Sequence, residues 1–153
     1  MSVATIENFY EAFNNLDAKA MCSFYHDAIV FEDPAFGKLQ GDRAKAMWFM
    51  LCESQQGKSF KVEASDITAN SAHWEAYYTF SKTGRRIHNR IDASFEFKDG
   101  LILEHSDHFN LHRWAKQALG FKGLILGGTG FFKSKLNKQT NYLLDKYINK
   151  KAI

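Results

Sequence analysis

The chain has one proline, Pro34, and two cysteines, Cys22 and Cys52, in 153 residues. Neither cysteine has a partner at metal-ligand spacing. Both fall in helix-like segments and read as reduced, buried small side chains of a cytoplasmic protein. No apolar run reaches the ~20 residues that cross a bilayer, and no basic start followed by an apolar stretch marks a leader. The expectation is a soluble cytoplasmic chain without stable membrane anchoring. No internal repeat or low-complexity linker divides it, so the size prior gives one domain with a sizeable core. The net charge of +3 is unevenly spread. Residues 133–151 hold six lysines against Asp145, which leaves residues 1–132 at −2. No general nucleic-acid surface is expected from that balance.

Aromatic residues make up 15% of the chain, with 14 phenylalanines. That much ring surface points to a dense core or an apolar cavity. Ile6, Phe9, Tyr10, Phe13 and Leu16 fall at helical spacing. Asn14-Asn15-Leu16-Asp17 ends that helix, and Asp17 can cap a second one carrying Met21, Phe24 and Tyr25. After a short strand, Asp42 is placed to cap a third helix with Met47, Trp48, Leu51 and Cys52 inward. From Phe60 onward the pattern alternates with period two. Thr83-Gly84 and Asp99-Gly100 are turn signals between strands, the second a strong hairpin signal. Helices followed by antiparallel strands predict an α+β domain with helices packed on one sheet face. Beyond it, His112–Leu119 reads as a short helix. The glycine-rich stretch 120–130 lacks the Gly-Lys-Ser/Thr of a phosphate loop and reads as a mobile cover or a packed-down turn. A basic amphipathic helix follows. Its ordinary reading is a core helix with a solvated basic face, its sharper one a partner or anionic-membrane surface, and its place just after the expected cavity mouth would let it cover the pocket.

The stretch Ile29-Val30-Phe31-Glu32-Asp33-Pro34 organises the rest. Strand alternation puts Phe31 and Asp33 on one face, Val30 and Glu32 on the other. A carboxyl group among apolar walls has a raised pKa, which suits a general base. In the plainer reading, Asp33 caps the turn at Pro34. Farther on, Asn89, Ile91, Ala93, Phe95 and Phe97 share a strand face, as do Leu103, His105, Asp107 and Phe109. With Phe95 and Phe97 marking the buried side of the first strand and Leu103 and Phe109 that of the second, Asn89, His105 and Asp107 are expected on it as well. His105 and Asp107, two apart, are neighbours on that face. The acid can orient or charge the imidazole, or the pair can sit at the rim and only bond each other. The other five histidines lack such company and read as surface or rim groups.

Over residues 3–119 this order resembles the cone-shaped fold of nuclear transport factor 2, an NTF2-like (cystatin-like) roll. The nearest likeness is its SnoaL-like and ketosteroid-isomerase-like branch. The likeness rests on Asn14-Asn15-Leu16-Asp17, Phe31-Glu32-Asp33-Pro34, and Asp99-Gly100-Leu-Ile-Leu-Glu-His-Ser-Asp-His-Phe109. It implies three N-terminal helices on a curved antiparallel sheet for residues 1–119. Residues 120–153 would add a C-terminal helical extension packed on the same domain. In ketosteroid isomerases the aspartate of the matching turn shuttles a proton, and Asp33 falls on it. Their oxyanion donors, a tyrosine and a neutral aspartic acid, match Phe9 and Ala93 here, so that pair is absent. Tyr10, next to Phe9, is expected to face elsewhere. Steroid isomerisation is therefore not implied, and fold analogy does not choose the reaction.

Three function classes follow. The first is a small acid–base enzyme of isomerase, cyclase, lyase or hydrolase type, acting without metal or cofactor on an apolar oxygenated molecule. Asp33 would be its base, His105 poised by Asp107 its proton donor, and Asn89 would orient the substrate. Phe9, Phe13, Trp48, Trp74, Tyr78 and Phe109 would wall the pocket. The second is a ligand-binding domain that performs no reaction. The third is an interaction module. A homodimer through the solvent face of the sheet (Glu75, Tyr77, Thr79, His88, Arg90, Asp92) is expected in each.

Overall fold

In a computed structural model, residues 2–152 are described. Three helices come early: α1 (Ser2–Asn14), α2 (Ala18–Ser23) and α3 (Asp42–Gln55). Between α2 and α3 lie β1 (Tyr25–Asp33) and β2 (Gly37–Gln40). Then β3 (Lys61–Ser65), β4 (Ser71–Thr79), β5 (Arg86–Lys98) and β6 (Leu101–His108) complete a six-stranded sheet in the order β2-β1-β6-β5-β4-β3. The fold is α+β, a curved sheet that does not close, carrying helices. Asp17 caps α2 by accepting from the Ala20 amide at 3.0 Å. Asp42 does not cap α3; it lies in the first turn behind Gly41 and makes no cap bond. Asp99 and Gly100 both take positive φ, 54° and 78°. Both central residues of a tight hairpin turn need that backbone, which is why the aspartate–glycine pair marks it.

Two features of the sheet depart from regular antiparallel alternation. Strand β1 runs parallel to β6, while every other pairing is antiparallel. On β6, Glu104 pairs with Glu96 but Ile102 pairs with Phe97, so Leu103 is an extra residue, a bulge. One added residue reverses the parity of everything beyond it. Ile102 and His105 are consequently both fully buried, and Leu103, taken above as a marker of the buried side, is only half-buried.

The core lies between α1–α3 and the concave face of the sheet. It joins Ile6, Phe9, Met21, Ile29, Phe31, Trp48, Ile91 and Phe95. Tyr10 joins it too, as its place in the aromatic stripe predicts: it is 3% exposed and packs against Trp74 and Phe95, while Phe9 beside it faces Tyr25 and His105.

After β6 come α4 (Leu111–Leu119), α5 (Phe121–Leu126) and the long α6 (Gly130–Lys151). The glycine-rich stretch is thus mostly helix, not a loop or cover. Gly123 sits so close to α4 that a Cβ there would lie 1.9 Å from the Ala115 carbonyl oxygen. Here glycine serves close helix approach, not backbone freedom. Helix α6 sends Leu144 into the main core, fully buried. Among the described residues no helix is long and apolar enough to cross a membrane.

Candidate active site

Beneath α6 lies a cavity of about 530 Å3. Its walls come from α1 (Phe13), α3 (Met47, Trp48, Leu51), β4 (Trp74, Ala76, Tyr78) and β5 (Asn89, Ile91). Phe31 and Asp33 of β1, Asp107 and Phe109 at the end of β6, and Trp114 of α4 contribute as well. Helix α6 closes it with Leu136, Gln139, Thr140 and Leu143. Most of this surface is hydrocarbon or ring, as is usual for small-molecule sites.

Asp33 ends β1 where Pro34 stops the strand. Its Oδ1 accepts the Ala35 amide at 2.9 Å and the Phe36 amide at 2.6 Å. The capping role and the cavity-facing role are thus filled by one side chain. Among the described residues, Oδ2 has no protein partner. Burial pushes the carboxyl up to about 7 from 3.8, helped by the neighbouring Asp107 and opposed by the two amide bonds. Continuing the parallel register one residue past the Glu32–Ser106 pair sets Asp33 beside Asp107 on adjacent strands.

The same turn is gripped from its other side. Asn137 Nδ2 donates to the Pro34 carbonyl at 2.9 Å and the Ala35 carbonyl at 3.1 Å. Thr140 Oγ1 donates to the Ala35 carbonyl at 2.8 Å, and Asn141 Nδ2 to the Phe36 carbonyl at 2.9 Å. Amides of the turn hold the acid while its carbonyls are held by α6. Arg43 ties α6 down again, through Asp145 at 2.5 Å and Asn141 Oδ1 at 2.7 Å.

His105 is brought to Asp107 but not to the cavity. It is fully buried, and both ring nitrogens are taken: Nδ1 by the Tyr25 hydroxyl at 2.7 Å, Nε2 by Asp107 Oδ1 at 2.9 Å. Trp48 Nε1 donates to the Tyr25 oxygen at 2.9 Å. An indole N–H can only donate, so the Tyr25 proton is free to point at Nδ1. His105 is then the Nε2–H tautomer and donates to Asp107. Trp74 Nε1 donates to the same Asp107 oxygen at 3.3 Å. In the series Trp48, Tyr25, His105, Asp107 each step is then a hydrogen bond. The two residues are neighbours as expected, but Asp107 is the one that reaches the cavity, and both His105 ring nitrogens are bonded within the protein. Burial, with Asp107 nearby, also lifts the Tyr25 phenol well above its ordinary range.

Phe9 likewise lies behind the wall, packed on Tyr25, Trp48 and His105 and fully buried. Phe13, Trp48, Trp74, Tyr78, Asn89 and Phe109 do line the cavity. Tyr78 has a property its ring alone does not announce. Its oxygen accepts Trp114 Nε1 at 2.9 Å, and among the described residues its own proton has no acceptor. Asn89 makes no side-chain hydrogen bond among them either, and the Gln55 Oε1 is buried without a partner. Among the described residues, no group of three or more His, Cys, Asp or Glu is disposed to hold a metal ion.

Sequence reasoning put Tyr25 on the second helix, and it set the C-terminal helix over the cavity mouth without naming the residues that line it. Tyr25 instead opens β1 with the parity of Ile29 and Phe31, and exposed Asp27 interrupts that pattern where the strand is irregular. The α6 residues gave the amphipathic period without saying which of them would face the cavity.

A curved sheet with helices over one face, enclosing an apolar cavity with two adjacent carboxyls, defines an α+β class of open-sheet domain. The SnoaL-like domain family matches residues 6–105, and the chain belongs to it. No curated protein matches the sequence. Solved structures share the fold. A candidate polyketide cyclase from Xanthomonas campestris pv. campestris is 18% identical, with 76% of this chain and 95% of that one covered and a TM-score of 0.58. An epoxide hydrolase of the LEH-like kind from M. tuberculosis is 23% identical, covering 82% and 90%, with a TM-score of 0.56. An NTF2-like protein of unknown function from Burkholderia pseudomallei is 14% identical, covering 77% and 97%, with a TM-score of 0.63. At these identities the likeness is one of fold.

Proposed function

We propose that this protein is an acid–base enzyme that moves a proton on a small, apolar, carbonyl-bearing molecule, in the manner of an isomerase or cyclase. The observation that carries the reading is Asp33: one oxygen fixed by two amides, the other unpartnered, in an apolar cavity that lifts the carboxyl to about 7. Such a group is divided between acid and base at neutral pH, so it can take a proton and give it back. Asp33 Oδ2 removes a proton from the carbon next to the carbonyl. The C–H electron pair becomes the enolate double bond, and the carbonyl pair moves onto oxygen. That oxygen is met by the Tyr78 hydroxyl, whose proton is free, and by the Asn89 amide. These two take the place of the oxyanion donors missing at Phe9 and Ala93. Asp33 then returns the proton to carbon. Asp107 does not touch the reacting atoms; held by His105 and Trp74, it is the neighbouring charge that helps keep the Asp33 carboxyl high.

The test is deuterium exchange. A panel of enolisable aryl ketones is incubated with the protein in D2O, and incorporation next to the carbonyl is followed by NMR. Asp33→Asn is expected to slow exchange by about 10²–10⁴-fold, the usual share of a general base. Ligands that bind in the cavity without any exchange by the native protein would leave a binding domain in place of an enzyme.

A further inference from the structure

Helix α5 is built inside out. Its inward face is glycine: a Cβ at Gly123 would meet the Ala115 backbone at 1.9 Å, and one at Gly127 would meet the Ala115 methyl at 2.6 Å. Its large apolar side chains point the other way. Phe121 is 74% exposed and Ile125 59%, with Leu124 and Leu126 close to half exposed. At 100° per residue, Phe121 and Ile125 lie nearly opposite the glycines. Just beyond, at the start of α6, Phe131 is 71% exposed. A helix that packs by glycine and offers phenylalanine and isoleucine to water gains nothing from that arrangement in isolation.

The charge around this patch has one sign. From residue 108 to residue 144 there is no aspartate or glutamate, while Arg113, Lys116, Lys122, Lys133, Lys135 and Lys138 are all present and all exposed. Among the described residues none of the six forms an ion pair. Lys122 is inside α5 itself, and Lys133 and Lys135 flank Phe131 along the first turns of α6. A second copy of the chain docking here would bring like charges together, Lys122, Lys133 and Lys135 at the least.

We propose that the corner formed by α5 and the start of α6 is a reversible docking surface for an anionic lipid bilayer. Phe121, Ile125 and Phe131 enter the headgroup boundary, and Lys122, Lys133 and Lys135 beside them meet the lipid phosphates. Apolar insertion and attraction to anionic headgroups add, as they do for interfacial helices. Helix α6 carries Phe131 at one end and the cavity-lining Leu136 and Leu143 farther along, so the bilayer and the apolar cavity share one structural element. The proposal does not depend on what reaction, if any, takes place inside.

The experiment is sedimentation of the full chain with phosphatidylcholine vesicles, with and without phosphatidylglycerol, at two salt concentrations. The chain is expected to pellet with the anionic vesicles, to stay free of the neutral ones, and to be released by salt. Phe121→Ser with Ile125→Ser, both at exposed sites, should weaken partitioning by about tenfold or more. Lys122→Glu with Lys133→Glu should do the same and serves if the apolar pair misfolds. Absence of vesicle binding, equal binding to neutral vesicles, or undiminished binding by both variants overturns the proposal. So does self-association that the serine pair abolishes in a chain that ignores vesicles, since the patch would then be a protein interface.

Discussion

At the level of single residues the site turns on where protons sit. Asp33 binds its proton more tightly folded than unfolded, because its carboxyl rises from 3.8 to about 7 on folding. Its contribution to stability is therefore complete below pH 4 and lost as pH rises towards 7. Asp33→Asn, which keeps an acceptor for the Ala35 and Phe36 amides, should gain stability relative to the native chain across that window and hold the gain above it. Urea denaturation at pH 4, 6 and 8 measures this; a difference that does not change with pH would mean the carboxyl is not perturbed. Activity should follow the opposite limb, with kcat/KM rising through pH 7 as the base form appears. Tyr78→Phe removes only a hydroxyl and should lower kcat by about 10²–10³-fold, the range for losing one oxyanion donor, while substrate affinity changes little. Tyr25→Phe acts behind the wall. It strips His105 Nδ1 of its donor and Trp48 Nε1 of its acceptor, both buried, at a cost of about 1–3 kcal/mol. The 15N shifts of His105 should report the altered tautomer. A variant within a few tenths of a kcal/mol of the native chain would show that the relay is not what holds these groups.

Among elements, α6 matters most, since one helix completes the cavity, grips the Asp33 turn and fills a place in the core. Leu144→Ala should cost about 2–5 kcal/mol, as for other fully buried leucines, and looser docking of α6 should raise binding of an apolar dye. Unchanged stability would mean that α6 only rests on the surface. Elements were also the scale at which sequence was most and least informative. The aromatic stripe of α1, the alternation in β4 and β5, and the Asp99-Gly100 turn are local signals and place their elements well. Asp33 was legible for the same reason: Pro34 fixes the strand end, and parity from Phe31 fixes the face. What escaped is long-range. Leu103 differs in no local way from an ordinary strand residue, yet it bulges and sets Ile102 and His105 on one side. Whether His105 reaches a substrate depends on Tyr25 and Trp48, 80 and 57 positions away. Glycines 123 and 127 signal turns when read alone and prove to be a packing surface, because α4 supplies the partner.

Taken whole, the molecule has a second polar surface on the convex side of the sheet. His73 bonds Asp92 at 2.9 Å and Glu75 at 2.8 Å, and Glu75 also takes His88 at 2.6 Å. These histidines therefore have carboxylate company, contrary to expectation, but away from the cavity. The carboxylates beside His73 raise its pKa, and the two histidines lower that of Glu75. We propose this face, with Tyr77 and Arg90, as the contact of a homodimer. Light scattering at micromolar concentration should give twice the chain mass, and Glu75→Lys should halve it by setting a cation beside Arg90 and both histidines. A native chain that is monomeric there would remove the proposal.

The order in which the elements leave the ribosome gives the α6 cover one more meaning. All six strands and the first three helices are synthesised before α6. Until it arrives, Trp48, Trp74 and Tyr78 line an open trough, and the Pro34–Phe36 carbonyls have only water to bond. Closing the trough therefore waits on the synthesis of α6, and the nascent chain carries these rings uncovered until that helix emerges.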